Sequence, residues 1–367
     1  MIFNLIQNLK LKIKLWNRAR LERSRCHRVF KKEMLDISKT RNVSYPGKNF
    51  KKILIIESLF GLGDALYAHG LVKALALHGK EVTIATLKRT KGIYENSPYI
   101  LKTYYLESTD DLDKAKKERY DIVLDLAYVG LDRWELRFPW LKEIQAWTVS
   151  CSNSTKASKI INENIDLSRE NHVSSRMNKI LFELTNINEK DSKIKPYIYT
   201  KSPVKKWVVN RLPTFYVNTL AREDDRCLSL EQIRSIANFF NEEKKAIAYF
   251  YIDKNLDVNI NESDYVKIFQ GKSITDLVEK LQEVDYVLTP DTSITHFSSV
   301  FNKPCIVLFC ANEKDYFGNV DMAEVWAPLN PNSTLMYSKK SKSEFFKVSD
   351  ISAMEIISAI KSFININ

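Results

Sequence analysis

No stretch of this 367-residue chain is apolar enough to cross a bilayer. A spanning helix needs about 18 or more consecutive apolar residues, and the early run Met1–Trp16 is broken by Lys10, Lys12 and Lys14. The same run lacks the apolar core and small-residue cleavage site of a secretory signal. Cysteine is sparse. Residues 26, 151, 227, 305 and 310 form no CxxC and no metal-ligand spacing. Free thiols fit a reducing compartment, and Cys305 and Cys310 read as packing groups in a strand. Two nucleotide signatures are also missing. The nicotinamide fingerprint needs Gly-x-Gly-x-x-Gly or Ala with an acidic residue ending the next strand. Leu66 takes the third glycine's place, and no acidic residue ends the strand Val82 to Ala85. No Gly-Lys-Ser/Thr follows the turn, which excludes a P-loop. No Asp-x-Asp lies on a strand end to hold a divalent cation.

What is present begins with Thr289-Pro-Asp-Thr-Ser-Ile-Thr-His296. It follows the apolar run Tyr286–Leu288 and precedes a helix-like segment near 294–301. A buried strand thus brings Asp291, Thr292, Ser293 and His296 to a helix start. Free N–H groups at such a start, with small polar side chains, favour an anion, phosphate above all. The plainer reading is that Asp291 or Thr292 only caps the helix, and that His296 caps or packs against the sheet. A second turn of the same type occurs early. Lys51–Ile56 is a β-branched run suited to a parallel strand covered on both faces. It leads through Ser58-Leu-Phe-Gly61-Leu-Gly63-Asp64 into a helix near 64–78. Gly61 and Gly63 let backbone approach a ligand closely. Asp64 is either an N-cap or a carboxylate aimed into a cleft.

Strands at 52–57, 81–86 and 121–126, then 214–217, 246–251, 285–289 and 304–309, alternate with helices near 174–184, 230–243, 273–284 and 349–364. Ser273–Asp276 has capping-box spacing. This is an α/β pattern of two doubly wound halves, each with a phosphate-type loop. The expected division is a basic leader over 1–50, one unit over 51–195, a second over 205–345, and a terminal helix over 346–367. Pro196–Pro203 reads as the connection between the units.

Charge is concentrated at one end. Residues 1–52 hold 15 lysines and arginines against 3 acidic residues, while the whole chain carries +11. Ile2, Leu5, Ile6, Leu9, Ile13 and Trp16 fall on one helical stripe flanked by bases. Such a helix suits an anionic membrane surface through residues 1–32. The alternatives are a helix packed on the body or a basic tail. No nucleic-acid module follows it, so nucleic acid is not an expected partner.

Lys52–Leu66, the strands 81–86 and 121–126, and Asp291-Thr-Ser-Ile-Thr-His-Phe-Ser-Ser-Val-Phe-Asn-Lys-Pro304 together resemble glycosyltransferase family 9, the ADP-heptose:lipopolysaccharide heptosyltransferases. The resemblance covers roughly residues 50–335. It implies the GT-B fold: two Rossmann-like domains facing across a cleft, acceptor side first and nucleotide-sugar side second. By position it implies Asp64 as general base, with Gly61 and Gly63 in the acceptor-side loop. Asp291, Thr292 and Ser293 would contact the donor's sugar and diphosphate, aided by the N–H of Ile294, with His296 behind. Arg226, in Asp224-Asp225-Arg226, would bind phosphate where the family often has lysine. The basic leader lies outside the family core, and Phe-Gly-Leu-Gly-Asp replaces the commoner Ser-x-Gly-Asp. The implied activity is inverting, metal-independent transfer of heptose from ADP-heptose, with no cofactor, to a lipid-anchored core oligosaccharide. The implied place is the cytoplasm, peripheral on the inner face of the cytoplasmic membrane. A GT-B transferase with another nucleotide sugar, and a membrane-surface binding protein that keeps the fold without the chemistry, are the alternatives.

Overall fold

The computed structural model describes residues 43–365 except 59–60, 128–132, 152–159, 189, 191–192, 202–210, 253–257, 259, 311–320 and 339–346, together with Ser24, Arg28 and Lys31. The amphipathic stripe of residues 2–16 lies outside the described residues.

The first sheet is built from β1 (Lys52–Ile56), β2 (Glu81–Thr86), β3 (Lys102–Tyr105), β4 (Ile122–Asp125), β5 (Trp147–Ser150) and β6 (Glu163–Asn164). The second is built from β7 (Thr214–Asn218), β8 (Ile247–Tyr251), β9 (Val266–Ile268), β10 (Tyr286–Pro290), β11 (Cys305–Phe309) and β12 (Thr334–Tyr337). Both are six-stranded, in the orders β3-β2-β1-β4-β5-β6 and β12-β11-β10-β7-β8-β9. Every pairing within them is parallel. The two orders are one topology used twice. Each reverses between its first and fourth strands, and a doubly wound sheet offers its ligand crevice at that reversal, beyond the carboxyl ends of the strands.

The central strands are apolar because they are covered on both faces. Ile53 to Ile56 are fully buried, as are Val287, Leu288 and Cys305 to Leu308. The helices of eight or more residues are α1 (Leu62–Leu77), α2 (Trp134–Glu143), α3 (Val173–Thr185), α4 (Leu230–Glu243), α5 (Ile274–Glu283), α6 (Ser293–Val300) and α7 (Ala353–Ile364). Helices α4, α5 and α7 each start at a serine whose side chain accepts the N3 backbone N–H in a capping box. Helix α1 is different. From Ala65 to Val72 every residue is buried, and a helix apolar all round must be enclosed on all sides. Its own sheet and α3 cover part of it, and α6 of the second half covers more. Leu66, Tyr67 and Leu71 share one apolar cluster with Val287, Ile294 and Phe297.

Residues 196–203 read as the connection between the units, and their described part, 196–201, begins against α1. Tyr197 N–H donates to Leu66 O at 2.9 Å, and Ile194 and Ile198 are buried. Gly70 makes this possible, because a side chain there would strike the Lys195 carbonyl. Strands β3, β5, β6, β9 and β12 were not expected. They are two to four residues long, and apart from β5 they are largely half-exposed, so no apolar run marks them. Helix α2 contains Pro139 and starts after Arg133 in the left-handed region, at φ 53°. Neither feature advertises a helix.

At the carboxyl end of β4, Asp125 and Arg137 form a fully buried ion pair, with Ser150 Oγ donating to Asp125 at 3.4 Å. Burial pushes the Asp125 carboxyl up and the guanidinium pulls it back. Removing one partner of such a pair strands a charge without solvent. Arg137→Leu is therefore expected to cost about 3–5 kcal/mol of folding free energy in urea denaturation. A loss below about 1 kcal/mol is what a water-exposed pair would give instead.

Candidate functional site

One cavity of about 850 Å³ opens at the carboxyl ends of the strands where the two sheets reverse. Small-molecule sites span roughly 300–1,000 Å³. The segment after β1 contributes Gly61, Leu62, Gly63 and Asp64; β7 and the loop after it contribute Asn218 to Arg226 in part; the segment after β10 contributes Asp291 to Ile294, with His296 one turn into α6. All nine residues singled out from the sequence, Gly61, Gly63, Asp64, Arg226, Asp291, Thr292, Ser293, Ile294 and His296, line this single space.

The N-cap of α1 is Gly61, and Asp64 occupies the third helical position. Asp64 Oδ2 accepts the Gly61 N–H at 3.0 Å. The carboxylate thus closes its own turn from the third helical position while lining the cavity; the N-cap, one of the two readings of Asp64, is Gly61 instead. Beneath the turn, Glu57 is fully buried. It accepts from Thr86 Oγ1 at 2.6 Å and from Tyr94 Oη at 3.3 Å. Tyr94 Oη also lies 3.2 Å from Ala65 O, the residue after Asp64. Arg89 lies in the field of Glu57 and Asp64 and in that of Arg133 and Arg222; burial, then the two like charges, press its guanidinium below the usual range.

Across the cavity, Arg226 ends a short 3₁₀ turn, Asp224–Arg226. Its Nη1 lies 3.6 Å from Asp291 Oδ2 and 3.4 Å from Asp291 O. The pairing holds a mostly buried guanidinium at the start of α6 rather than in solvent. Thr292 is the N-cap of α6, and its Oγ1 accepts the Ile294 N–H at 3.3 Å. The Ile294 N–H, expected to face a ligand, is therefore engaged by the cap. The N–H groups of Thr292 and Ser293 have no acceptor among the described residues. Asn218, at the end of β7, ties the two loops together. Its Nδ2 donates to Leu220 O and Thr289 Oγ1 at 2.9 Å and to Thr292 Oγ1 at 3.2 Å. No motif pointed to Asn218, which reads as the first residue of the polar loop after the strand 214–217, whereas the structure ends β7 on it. Tyr216, Tyr251 and Phe269 also line the cavity, with Phe269 edge-on to Tyr216 at 5.8 Å. They form an aromatic wall of the kind on which planar rings stack.

His296 is 4% exposed. Its ring meets Tyr67 edge-on at 5.4 Å and Trp326 at 5.3 Å. Burial, with His172 adding to it, drives its imidazole down to about 3, so it is neutral at neutral pH. Lys303 of the Lys-Pro pair is buried away from the cavity and donates to the carbonyls of Gln282 and Val284, the latter at 2.6 Å, closing the end of α5. Its role is structural. Among the described residues no cluster of three His, Cys, Asp or Glu could hold a metal ion, and no helix is long and apolar enough to cross a membrane.

The sign of the pH effect follows from His296. An unfolded imidazole titrates near 6.5, whereas the folded one resists protonation until about pH 3. The unfolded state takes the proton first, so stability falls as pH drops through this window, by up to roughly 1.4 kcal/mol per unit. Urea unfolding between pH 6.5 and 4.5 is expected to weaken more steeply in the wild type than in His296→Gln. Parallel slopes would mean that the imidazole is solvated.

Neither a family model nor a curated protein sequence matches the chain. Solved structures do. A glycosyl transferase family 9 protein from Veillonella parvula superposes with a TM-score of 0.67 at 14% identity, over 89% of this chain and 100% of the other. The E. coli heptosyltransferase WaaC with ADP gives 0.65 at 11% identity, over 85% and 99%. The E. coli ADP-heptose lps heptosyltransferase II gives 0.64 at 12%, over 85% and 98%. Likeness at such identity is a likeness of fold, and the fold of this chain is GT-B: two Rossmann-like domains facing one another across a cleft.

Proposed function

We propose that this chain is an inverting glycosyltransferase that moves a heptose from ADP-heptose to a lipopolysaccharide or lipooligosaccharide core acceptor. The observation that carries the proposal is the cavity itself. It sets a carboxylate from one sheet, Asp64, opposite an anion seat from the other, made of Arg226 and the first turn of α6. Transfer from a nucleotide diphosphate needs those two chemistries facing each other. A base takes the proton of the acceptor hydroxyl as its oxygen attacks the sugar's anomeric carbon. Donors of positive charge stabilise the diphosphate as it leaves from the opposite face. Arg226 and the N–H groups of Thr292 and Ser293 supply the second function here. Each preorganised donor in such a role is worth about 2.7–4 kcal/mol of barrier. We read the reaction as metal-independent, since these groups already meet the leaving charge.

Two further points support this reading. The aromatic wall of Tyr216, Tyr251 and Phe269 suits a nucleobase, and WaaC, which shares the fold, was solved with ADP. A thermal-shift panel of ADP-heptose against UDP- and GDP-sugars separates this donor from the others a GT-B cleft accepts. Asp64→Ala is expected to lower kcat for transfer from ADP-heptose to a truncated core by about 10²–10⁴-fold, with ADP affinity nearly unchanged. Retention of more than about a tenth of wild-type kcat would remove Asp64 from the role of base.

The acceptor we assign is lipid-anchored, and the basic leader is the segment that would bring the enzyme to it. A polybasic stretch gains about 1 kcal/mol per lysine or arginine close to an anionic surface. A chain starting at Tyr45 should lose salt-sensitive sedimentation with anionic vesicles yet still act on a delipidated acceptor. Equal sedimentation with and without residues 1–44 would assign the leader to packing instead.

A further inference from the structure

Helices α1 and α6 belong to different sheets and lie against each other. One glycine in this contact leaves no room for a side chain. A methyl group on Gly63 would sit 3.0 Å from Nε2 of His296 and closer still to its Cδ2. Tyr67, one turn further along α1, meets the same ring edge-on, and Trp326 closes it from the second half. His296 Nδ1 has no hydrogen-bond partner among the described residues. The imidazole is therefore held by shape, in a slot that exists only because position 63 has no side chain. Both ends of this contact border chemistry. Asp64 is the next residue after Gly63. Ser293 and Ile294 precede His296 by about one helical turn and line the cavity. A second contact between the halves has the same form: a methyl on Gly92 would lie 3.0 Å from Ile274 Cδ1. Gly92 is in the short helix Lys91–Tyr94, whose Tyr94 bonds Glu57 and the Ala65 carbonyl.

We propose that His296 is a positioning residue rather than a ligand of the donor: seated against Gly63, it couples the anion seat at the start of α6 to the turn that carries Asp64. An anion on the first turn of α6 restrains that helix. His296 passes the restraint across the slot to residues 61–66, so the carboxylate is held most firmly when the donor is in place. The inference rests on reading Asp64 and α6 as the two sides of a transfer site.

Hydrogen exchange of the full chain, with ADP as probe, tests it. In the wild type, ADP should slow exchange at the amides of residues 61–66 by about fivefold or more. His296→Ala should bind ADP within about threefold of wild type, lose that slowing, and lose about tenfold or more in kcat for transfer. Slowing that persists in His296→Ala overturns the proposal. So does an ADP affinity that falls by more than about tenfold, because His296 would then be a donor ligand. If His296→Ala does not fold, Gly63→Ala, which pushes the ring out of its slot, is expected to lose the slowing by itself, and retained slowing overturns the coupling. A wild-type chain that binds no ADP counts against the donor reading alone. The joint is then judged on thermal unfolding of Gly63→Ala, His296→Ala and the double variant. Recovery of at least about half of the Gly63→Ala loss in the double variant supports the contact, and additive losses overturn it.

Discussion

From Ala65 to Val72 helix α1 has no face to offer water, and the rest of the architecture answers to that constraint. A helix buried from Ala65 to Val72 needs cover beyond its own sheet, and α6 of the other sheet supplies it. The apolar cluster formed is continuous across the two halves. Burying Leu66, Tyr67 and Leu71 against Ile294 and Phe297 therefore does two things at once. It stabilises the chain at about 25 cal/mol per Å² of apolar surface removed from water. It also fixes where the amino-terminal turn of α1 faces the amino-terminal turn of α6. The cavity is the space those two turns leave at the carboxyl ends of the sheets.

Charge inside this frame is held by networks rather than by solvent. Asp64 closes its own turn through the Gly61 N–H. Glu57 lies under the turn on Thr86 and Tyr94, and Tyr94 reaches on to Ala65. Asp291 holds Arg226 at the mouth of α6. A buried charge left unpaired costs several kcal/mol, so each of these groups has a partner that also sets its direction. Preorganisation of this type lets a dipole or charge act without rearranging when a reaction needs it. The neutral His296 fits the same logic from the opposite side. An apolar slot excludes its charged form, and what remains is a rigid ring of fixed width.

Much of the fold was legible because its signals are local. Short, largely apolar runs marked the strands next to each topological reversal. The capping spacing at Ser273–Asp276 is the capping box observed at α5. The two loops expected to bind anions both face the cavity. The edge strands were illegible for the same physical reason that they are edges. Lys102–Tyr105 and Val266–Ile268 are partly exposed and short, so no apolar period distinguishes them from loops. Tyr216 and Tyr251 were missed because their strands read as core, and nothing in a strand's own pattern says which residues lie at the end that opens on a cavity; Asn218 read as the start of a polar loop, and no motif marked it. Residues 196–201 read as a connector, and the structure adds that this segment starts against α1, with Ile194 and Lys195 on Gly70 and the Tyr197 N–H donating to Leu66 O.

The sequence by itself determined what is settled within a few residues: the central strands, the periodic helices, the glycine turn, the capping box at Ser273–Asp276, and the chemical types available at each loop. It also determined the doubly wound class, since alternating buried strands and helices admit few other arrangements. Tertiary structure alone decided which loops share one space and that the partner of Gly63 is the imidazole of His296. These depend on distances between residues more than 200 positions apart in the chain, from Gly63 to His296. Only the burial of α1 between the two sheets sets those distances.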